Sequence, residues 1–259
     1  MPKPNAVSLG PMLDPELVTR ARGALLGLVA GNQLGVPTEH LGTPAAIRAA
    51  YPDGVRDPAT PPKASPYDDD AAMTLLLAES LAEQGDFDAA DAAQRWVRCI
   101  RVATQQAAIT HADGRCLWGA AAVCLAAREL LHGNIYFVDE VVHRLADRAP
   151  KTLLDALHRV PRERQDDLPI TVPGEFGYVV HCVEIAFWFA THDRTIEDSL
   201  TYLANAGGDT DTNAAVAGAL LGARYGESGI PPRWIMLIAG ADRVRQLADG
   251  LIGAAEPAP

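Results

Sequence analysis

Apolar residues recur along this chain at the three-to-four-residue spacing of a helix, and hardly anywhere with the alternation of a strand. The run Pro15–Ala30 is the clearest case, with Asp14 placed to cap it and Pro15 suited to a first turn. The same spacing predicts helices over 44–50, 71–84, 88–109, 114–131, 138–147, 152–158, 177–190, 196–204, 213–225, 232–238 and 241–252. The one β-like run, Gly133-Asn-Ile-Tyr-Phe-Val138, is short. Alanine is abundant, and glycines stand one turn apart at Gly23/Gly27 and Gly218/Gly222, which lets helix axes approach closely. The expected fold is therefore all-α, a compact single-domain helical bundle over 1–259 with 1–12 and 254–259 as flexible ends. The proline- and charge-rich stretches 51–66 and 159–176 read as loops, each next to an acidic or aromatic motif.

Two of the predicted helices open on acidic clusters. Gly207-Gly208-Asp209-Thr210-Asp211-Thr212 leads into an almost polar-free run from Asn213 to Gly222. On a regular helix Asp209 and Asp211 would point about 200° apart. Both face one cation only if the backbone there is still a turn, which the two glycines permit. Tyr67-Asp68-Asp69-Asp70 likewise precedes the apolar run 71–81. Five aspartates at two helix mouths repel one another, and a helix N-terminus offsets only part of that repulsion. A hard divalent cation, Mg2+ or Mn2+, suits such an all-oxygen set; ordinary helix capping by unrelated aspartates is the alternative. No Cys/His set has the spacing of a zinc site.

Composition narrows the partners. Of 259 residues, 48% are apolar and 21% charged, enough for a substantial core, and the formal net charge is −11. With no basic stripe, a nucleic-acid backbone is not an expected partner. Cys99, Cys116, Cys124 and Cys182 form no C-x-x-C pair and lie in apolar stretches, so they read as buried thiols in a reducing compartment. No run approaches transmembrane length and the N-terminus lacks a signal-peptide pattern, so a cytoplasmic protein is expected.

Several stretches resemble the ADP-ribosylglycohydrolase family. Gly23-Ala-Leu-Leu-Gly-Leu-Val-Ala-Gly-Asn-Gln-Leu-Gly-Val-Pro-Thr-Glu39 resembles its opening G-A-L-x-G-x-x-x-G-D-A-L-G-x-x-x-E, and Asp68-Asp69-Asp70-Ala71-Ala72-Met73 falls where it has [ST]-D-D-T-x-M. Gly174-Glu-Phe-Gly-Tyr-Val-Val-His181, the Gly207–Thr212 motif and Ile230-Pro-Pro-Arg-Trp234 match further segments. The resemblance implies an orthogonal helical bundle with a central cleft for two divalent ions, and a glycosidase acting on the N- or O-glycosyl bond of an ADP-ribosylated protein or small molecule. It implies Asp69, Asp70, Asp209, Asp211 and Thr212 as metal ligands, with Asp68 at the position of a usual Ser/Thr ligand. Glu39, on a mobile loop over the cleft, would move protons or position substrate, with Asp69 and Asp211 completing the catalytic set. Tyr178, His111 and Gly208 would meet the substrate. For the residues themselves, Tyr178 reads equally as a core side chain, His181 more as a satisfied core histidine than as a ligand contact, and Asp113 or His111 as a cap of the helix from Gly114.

The departures matter too. Asp68 adds a third carboxylate, Ala71 replaces a threonine, and Asn32 replaces an aspartate that would offer an outer-shell acceptor. Between Trp96–Arg101 and Ala108–His111 the family's glycine-rich G-N-G-S/A-x-M-R segment, a cradle for diphosphate and adenosine, is absent. Two functions follow: a metal-dependent ADP-ribosyl hydrolase, or a non-catalytic homologue that binds ADP-ribose or metal or serves as a structural protein.

Overall fold

A computed structural model describes residues 14–59, 67–84 and 111–255. Eleven α-helices lie within them: α1 Pro15–Glu39, α2 Pro44–Ala50, α3 Asp69–Gln84, α4 Gly114–Leu131, α5 Phe137–Leu145, α6 Lys151–Arg159, α7 Val179–Thr191, α8 Ile196–Asn205, α9 Thr210–Tyr225, α10 Pro232–Leu237 and α11 Ala241–Ala255. The described residues contain no strand, so the fold is all-α. The predicted helix 88–109, Cys99 and the end of the 51–66 loop lie outside the described residues.

Local chemistry sets many of the helix starts. Asp14 accepts the Glu16 N–H, Thr43 that of Ala46, Asp113 that of Arg115 and Thr195 that of Asp198. The β-like run at 133–138 is instead a turn leading into α5. Gly133 takes a positive φ of 79°, and the Asn134 side chain accepts the Tyr136 N–H and donates to Glu129. A residue pattern that alternates but has no partner strand gains nothing from being extended.

The helix α1 runs nine residues beyond the predicted Ala30, through Gly31, Gly35 and Pro37. Proline at 37 leaves the Gln33 carbonyl without its helical donor. The N–H of Ala59 supplies one at 3.0 Å. One residue on, the buried Thr38 hydroxyl lies 2.7 Å from the Ala204 carbonyl and 3.1 Å from the Thr210 hydroxyl, which donates to the Gly35 carbonyl at 2.9 Å. The polar groups at this irregular helix end are thus satisfied by three other segments.

The most extensive interface joins α1 and α9, which run antiparallel. A methyl group on Gly23, Gly27, Gly31 or Gly35 would overlap main-chain atoms at Gly222, Gly218, Ala214 and Asp211 respectively. Four glycines one turn apart therefore bring the two backbones into direct contact, and that contact offsets a cost of about 0.5–1 kcal/mol for each glycine inside a helix. The register has a consequence at its end: it delivers the C-terminus of α1 to the N-terminus of α9.

Around this pair lies one apolar core. The helix α7 contributes fully buried Ile185, Ala186, Phe187 and Phe189, with Phe187 and Phe137 rings 5.3 Å apart. Trp234 on α10 is also fully buried, its indole N–H 3.0 Å from both the Arg56 carbonyl and Asp57 Oδ1. The cysteines do not follow the expectation of buried core thiols: Cys124 is exposed, and Cys116 and Cys182 are half-buried. Each lies on a helix with an apolar stripe but off its innermost positions, which here go to alanine, leucine and phenylalanine.

Candidate functional site

The turn before α9 is built by its glycines. Gly207 and Gly208 take positive φ values of 80° and 68°, and a side chain at Gly208 would overlap the Ile170 carbonyl. The Gly208 N–H donates to the Gly42 carbonyl at 2.9 Å, locking the turn between two loops. Asp209 occupies the N-cap position of α9, yet its side chain makes no cap hydrogen bond. Its carboxylate joins a cluster instead. Glu39, Asp209 and Asp211 each present an oxygen, and these oxygens lie within 4.8 Å of one another.

Asp211 is 4% exposed, and its Oδ1 is buried with no hydrogen-bond partner. Burial, reinforced by Asp209, pushes the Asp211 carboxyl up to about 6. Asp70 is pushed up to about 6 by burial and by Asp211, and burial also raises Asp209 and Glu39. Such a cluster resists ionisation for want of positive charge, which is the electrostatic complement of a divalent cation. The orphaned Asp211 oxygen and the all-carboxylate donor set fit a hard ion.

The second acidic cluster meets the first through Asp70. In the first turn of α3, Asp70 accepts the Thr212 hydroxyl at 3.1 Å and, more distantly, the Asn32 amide at 3.5 Å. Asp68 and Asp69 are exposed and act on Glu39 only through their charge. Glu39 itself is not on a mobile loop, contrary to expectation. It is the last residue of α1, held between the glycine contacts and the Thr38 hydroxyl network. Its position beside Asp209 and Asp211 could not be read from a residue 170 positions earlier.

A cavity of about 330 Å³ opens beside Asp209. Its wall is largely the 169–177 segment, mostly within the predicted 159–176 loop, completed by residues that include Tyr178, His181, Cys182 and Gly208. Gly177, at φ 69°, takes a backbone conformation that favours glycine, although a methyl there would make only an ordinary contact with Asp209 Oδ2 at 3.6 Å. The Tyr178 ring meets His181 edge-on at 4.8 Å, and the Arg115 guanidinium lies 5.4 Å over its centre. Asp113 both caps α4 and grips Arg115, so the capping alternative holds for this residue. His181 Nε2 is 3.3 Å from Glu175, while burial holds its pKa below the usual value. Upstream of this wall, the Arg159–Glu184 pair, at 2.8 Å on both arms, and the Trp188 indole bonded to the Glu163 carbonyl tie the start of the 159–176 stretch to α7.

His111 is exposed just before α4 and does not line this cavity. Residues that sequence reasoning missed include Arg115, Glu175, Asn213 and Cys182. Although Cys182 is only half-buried as a residue, its thiol is desolvated, and this together with the nearby Asp209, Asp70 and Asp211 raises it above its usual range. For Asn213 a signal existed: it follows Asp209 by one helical turn. Nothing in the sequence tied Arg115 to Tyr178.

The ADP-ribosylglycohydrolase family model matches residues 13–103 and 97–259, two stretches that overlap at 97–103. The chain belongs to this family of glycohydrolases. It is 27% identical to ADP-ribosylarginine hydrolase Tri1 of Pseudomonas putida, covering 92% of this chain and 80% of that protein. It is 28% identical to ADP-ribosyl-dinitrogen reductase glycohydrolase of Rhodospirillum rubrum, covering 86% and 92%. Among solved structures, an ADP-ribosylglycohydrolase-related protein complex superposes with a TM-score of 0.72 at 22% identity, over 93% of this chain and 99% of that one. This likeness establishes the shared fold. No helix among the described residues is long and apolar enough to cross a membrane.

Proposed function

We propose that this protein is a divalent-metal-dependent hydrolase that releases ADP-ribose from a guanidine nitrogen of a modified side chain or small molecule. The observation that carries the reading is the gathering of Glu39, Asp209 and Asp211 into one cluster whose Asp209 also lines a cavity large enough for a sugar. Asp70, Asp209, Asp211 and Thr212 would hold Mg2+ or Mn2+, with Asp68 and Asp69 nearer solvent. When bound, the divalent charge fixes the ribose hydroxyls and acidifies water. Glu39 takes the proton of the attacking water as its oxygen bonds to the anomeric carbon. The C–N bond breaks with its electrons going to nitrogen, which receives the proton taken up by Glu39. The surrounding carboxylates stabilise the oxocarbenium-like transition state. Tyr178 and Gly208 line the sugar side of the cavity, and the exposed Asp68 and Asp69 favour a cationic acceptor over a neutral hydroxyl.

The test is release of ADP-ribose from ADP-ribosylated arginine with Mg2+, Mn2+ or EDTA. Glu39→Gln should abolish turnover and retain metal-dependent stabilisation, because a carboxamide keeps the shape but takes no proton at neutral pH. Hydrolysis at the wild-type rate by Glu39→Gln removes Glu39 from the chemistry. The missing glycine-rich segment supports a second reading, an ADP-ribose- or metal-binding homologue without turnover. Metal-dependent ADP-ribose binding with no release from any ADP-ribosylated acceptor would favour it.

A further inference from the structure

Asn32 lies on α1 about two turns before Glu39 and is fully buried. Its amide nitrogen donates to Asp70 Oδ2, the same oxygen that receives the Thr212 hydroxyl. The orientation of the amide follows from chemistry: reversed, it would set oxygen against a carboxylate oxygen. That leaves Asn32 Oδ1 facing elsewhere, buried and without a hydrogen-bond partner. A second buried oxygen, Asp211 Oδ1, is orphaned in the same region. The expected loss of an acceptor through the change from aspartate to Asn32 is thus only half the matter. The residue keeps an acceptor and gains a donor, and a carboxylate here would set a further negative charge against Asp70.

We infer that Asn32 is a positioning residue for the divalent cation: its amide N–H fixes the Asp70 carboxylate, and its unpartnered Oδ1 is an acceptor for water that enters with the ion. The inference rests on reading this site as a divalent-cation site. Asn32 touches neither substrate nor reacting atoms. It acts through Asp70.

The experiment measures Mn2+ binding to the full chain by electron paramagnetic resonance, and melting in EDTA and in Mn2+, for wild type, Asn32→Leu and Asn32→Asp. Both replacements keep the branched four-atom side-chain skeleton of asparagine. Asn32→Leu should weaken Mn2+ binding about 10–100-fold, the usual effect of losing an outer-shell partner. Asn32→Asp should melt lower than wild type in EDTA but show a larger Mn2+-induced rise, because only the cation offsets its added charge. A residue that merely fills space would lower both variants equally with and without Mn2+. That result, or wild-type Mn2+ affinity in Asn32→Leu, would overturn the inference. If Asn32→Leu does not fold, Asn32→Asp decides alone, and a Mn2+-induced rise no larger than wild type's is the negative result. A wild-type chain that binds no Mn2+ sinks the metal reading and this inference together. Normal wild-type binding with unaltered variants sinks this inference only.

Discussion

The two acidic helix mouths look alike in sequence but sit in different surroundings. Asp68 and Asp69 open α3 on the surface, whereas Asp211 opens α9 almost fully buried. The difference lies in what each helix packs on. The helix α9 is pressed against α1 along a glycine seam and also meets α4, α7 and α8. Among the described residues, the helix α3 packs mainly on α11, with its Met73, Leu76 and Leu77 exposed. A run of aspartates therefore announces that charge is concentrated, and packing decides whether that charge is solvated or stored.

The largest way to break this comparison is to break the seam. Gly31→Ala should destabilise the fold by about 1–3 kcal/mol or more, since the new methyl overlaps the Ala214 carbonyl. Gly253→Ala, where a methyl meets nothing within 4 Å, should stabilise by about 0.5–1 kcal/mol. Denaturant unfolding of both gives the comparison; equal effects would deny the seam its role.

Metal addition comes next. At a concentration about one hundred times Kd, Mg2+ or Mn2+ should stabilise the wild type by roughly 2.7 kcal/mol. Asp211→Asn should lose this gain while melting higher than wild type in EDTA, because one buried repulsive charge is removed. Identical melting curves with EDTA, Mg2+ and Mn2+ would count against a cation at the deep mouth.

A pH series sharpens the contrast further. Asp70 and Asp211 titrate at about 6 when folded, against a reference value of 3.8. The folded state thus holds protons that the unfolded state has released. This contribution is fully present below pH 3.8 and is lost as pH rises through about 6. In EDTA the melting temperature should fall across that window, and saturating Mg2+ or Asp211→Asn should flatten the fall. A slope unchanged in Asp211→Asn would assign the effect to other groups. The smallest effect is expected at the shallow mouth: Asp69→Asn should shift metal-free stability by no more than about 0.5 kcal/mol, as suits an exposed side chain. A stabilisation in EDTA as large as that of Asp211→Asn would erase the distinction between the mouths.

Much was legible in the sequence because it depends on neighbours in the chain. Asp14 caps the helix it precedes, and the acidic motifs and the glycine pairs Gly23/Gly27 and Gly218/Gly222 stood out before any coordinates. The span Gly114–Leu131 matches its prediction from end to end, since a capping aspartate and an apolar stripe are both local signals. The passage of α1 through Pro37 was not legible, because the donor that satisfies Gln33 comes from Ala59 across space. Nor was the pairing of Asn32 with Asp70, or the cavity wall that the 169–177 loop presents to Asp209.

The sequence by itself determined that this chain is helical, that its helices can approach closely, and that two of them begin in clustered negative charge. Only the tertiary structure decided that Glu39 joins Asp209 and Asp211, that Asp211 is buried while Asp69 is not, and that a cavity opens beside Asp209. The physical reason is range. Capping and periodicity act over a few residues, whereas burial, desolvation and the meeting of carboxylates depend on which backbones touch, and here six glycines and an alanine along one antiparallel seam set that register.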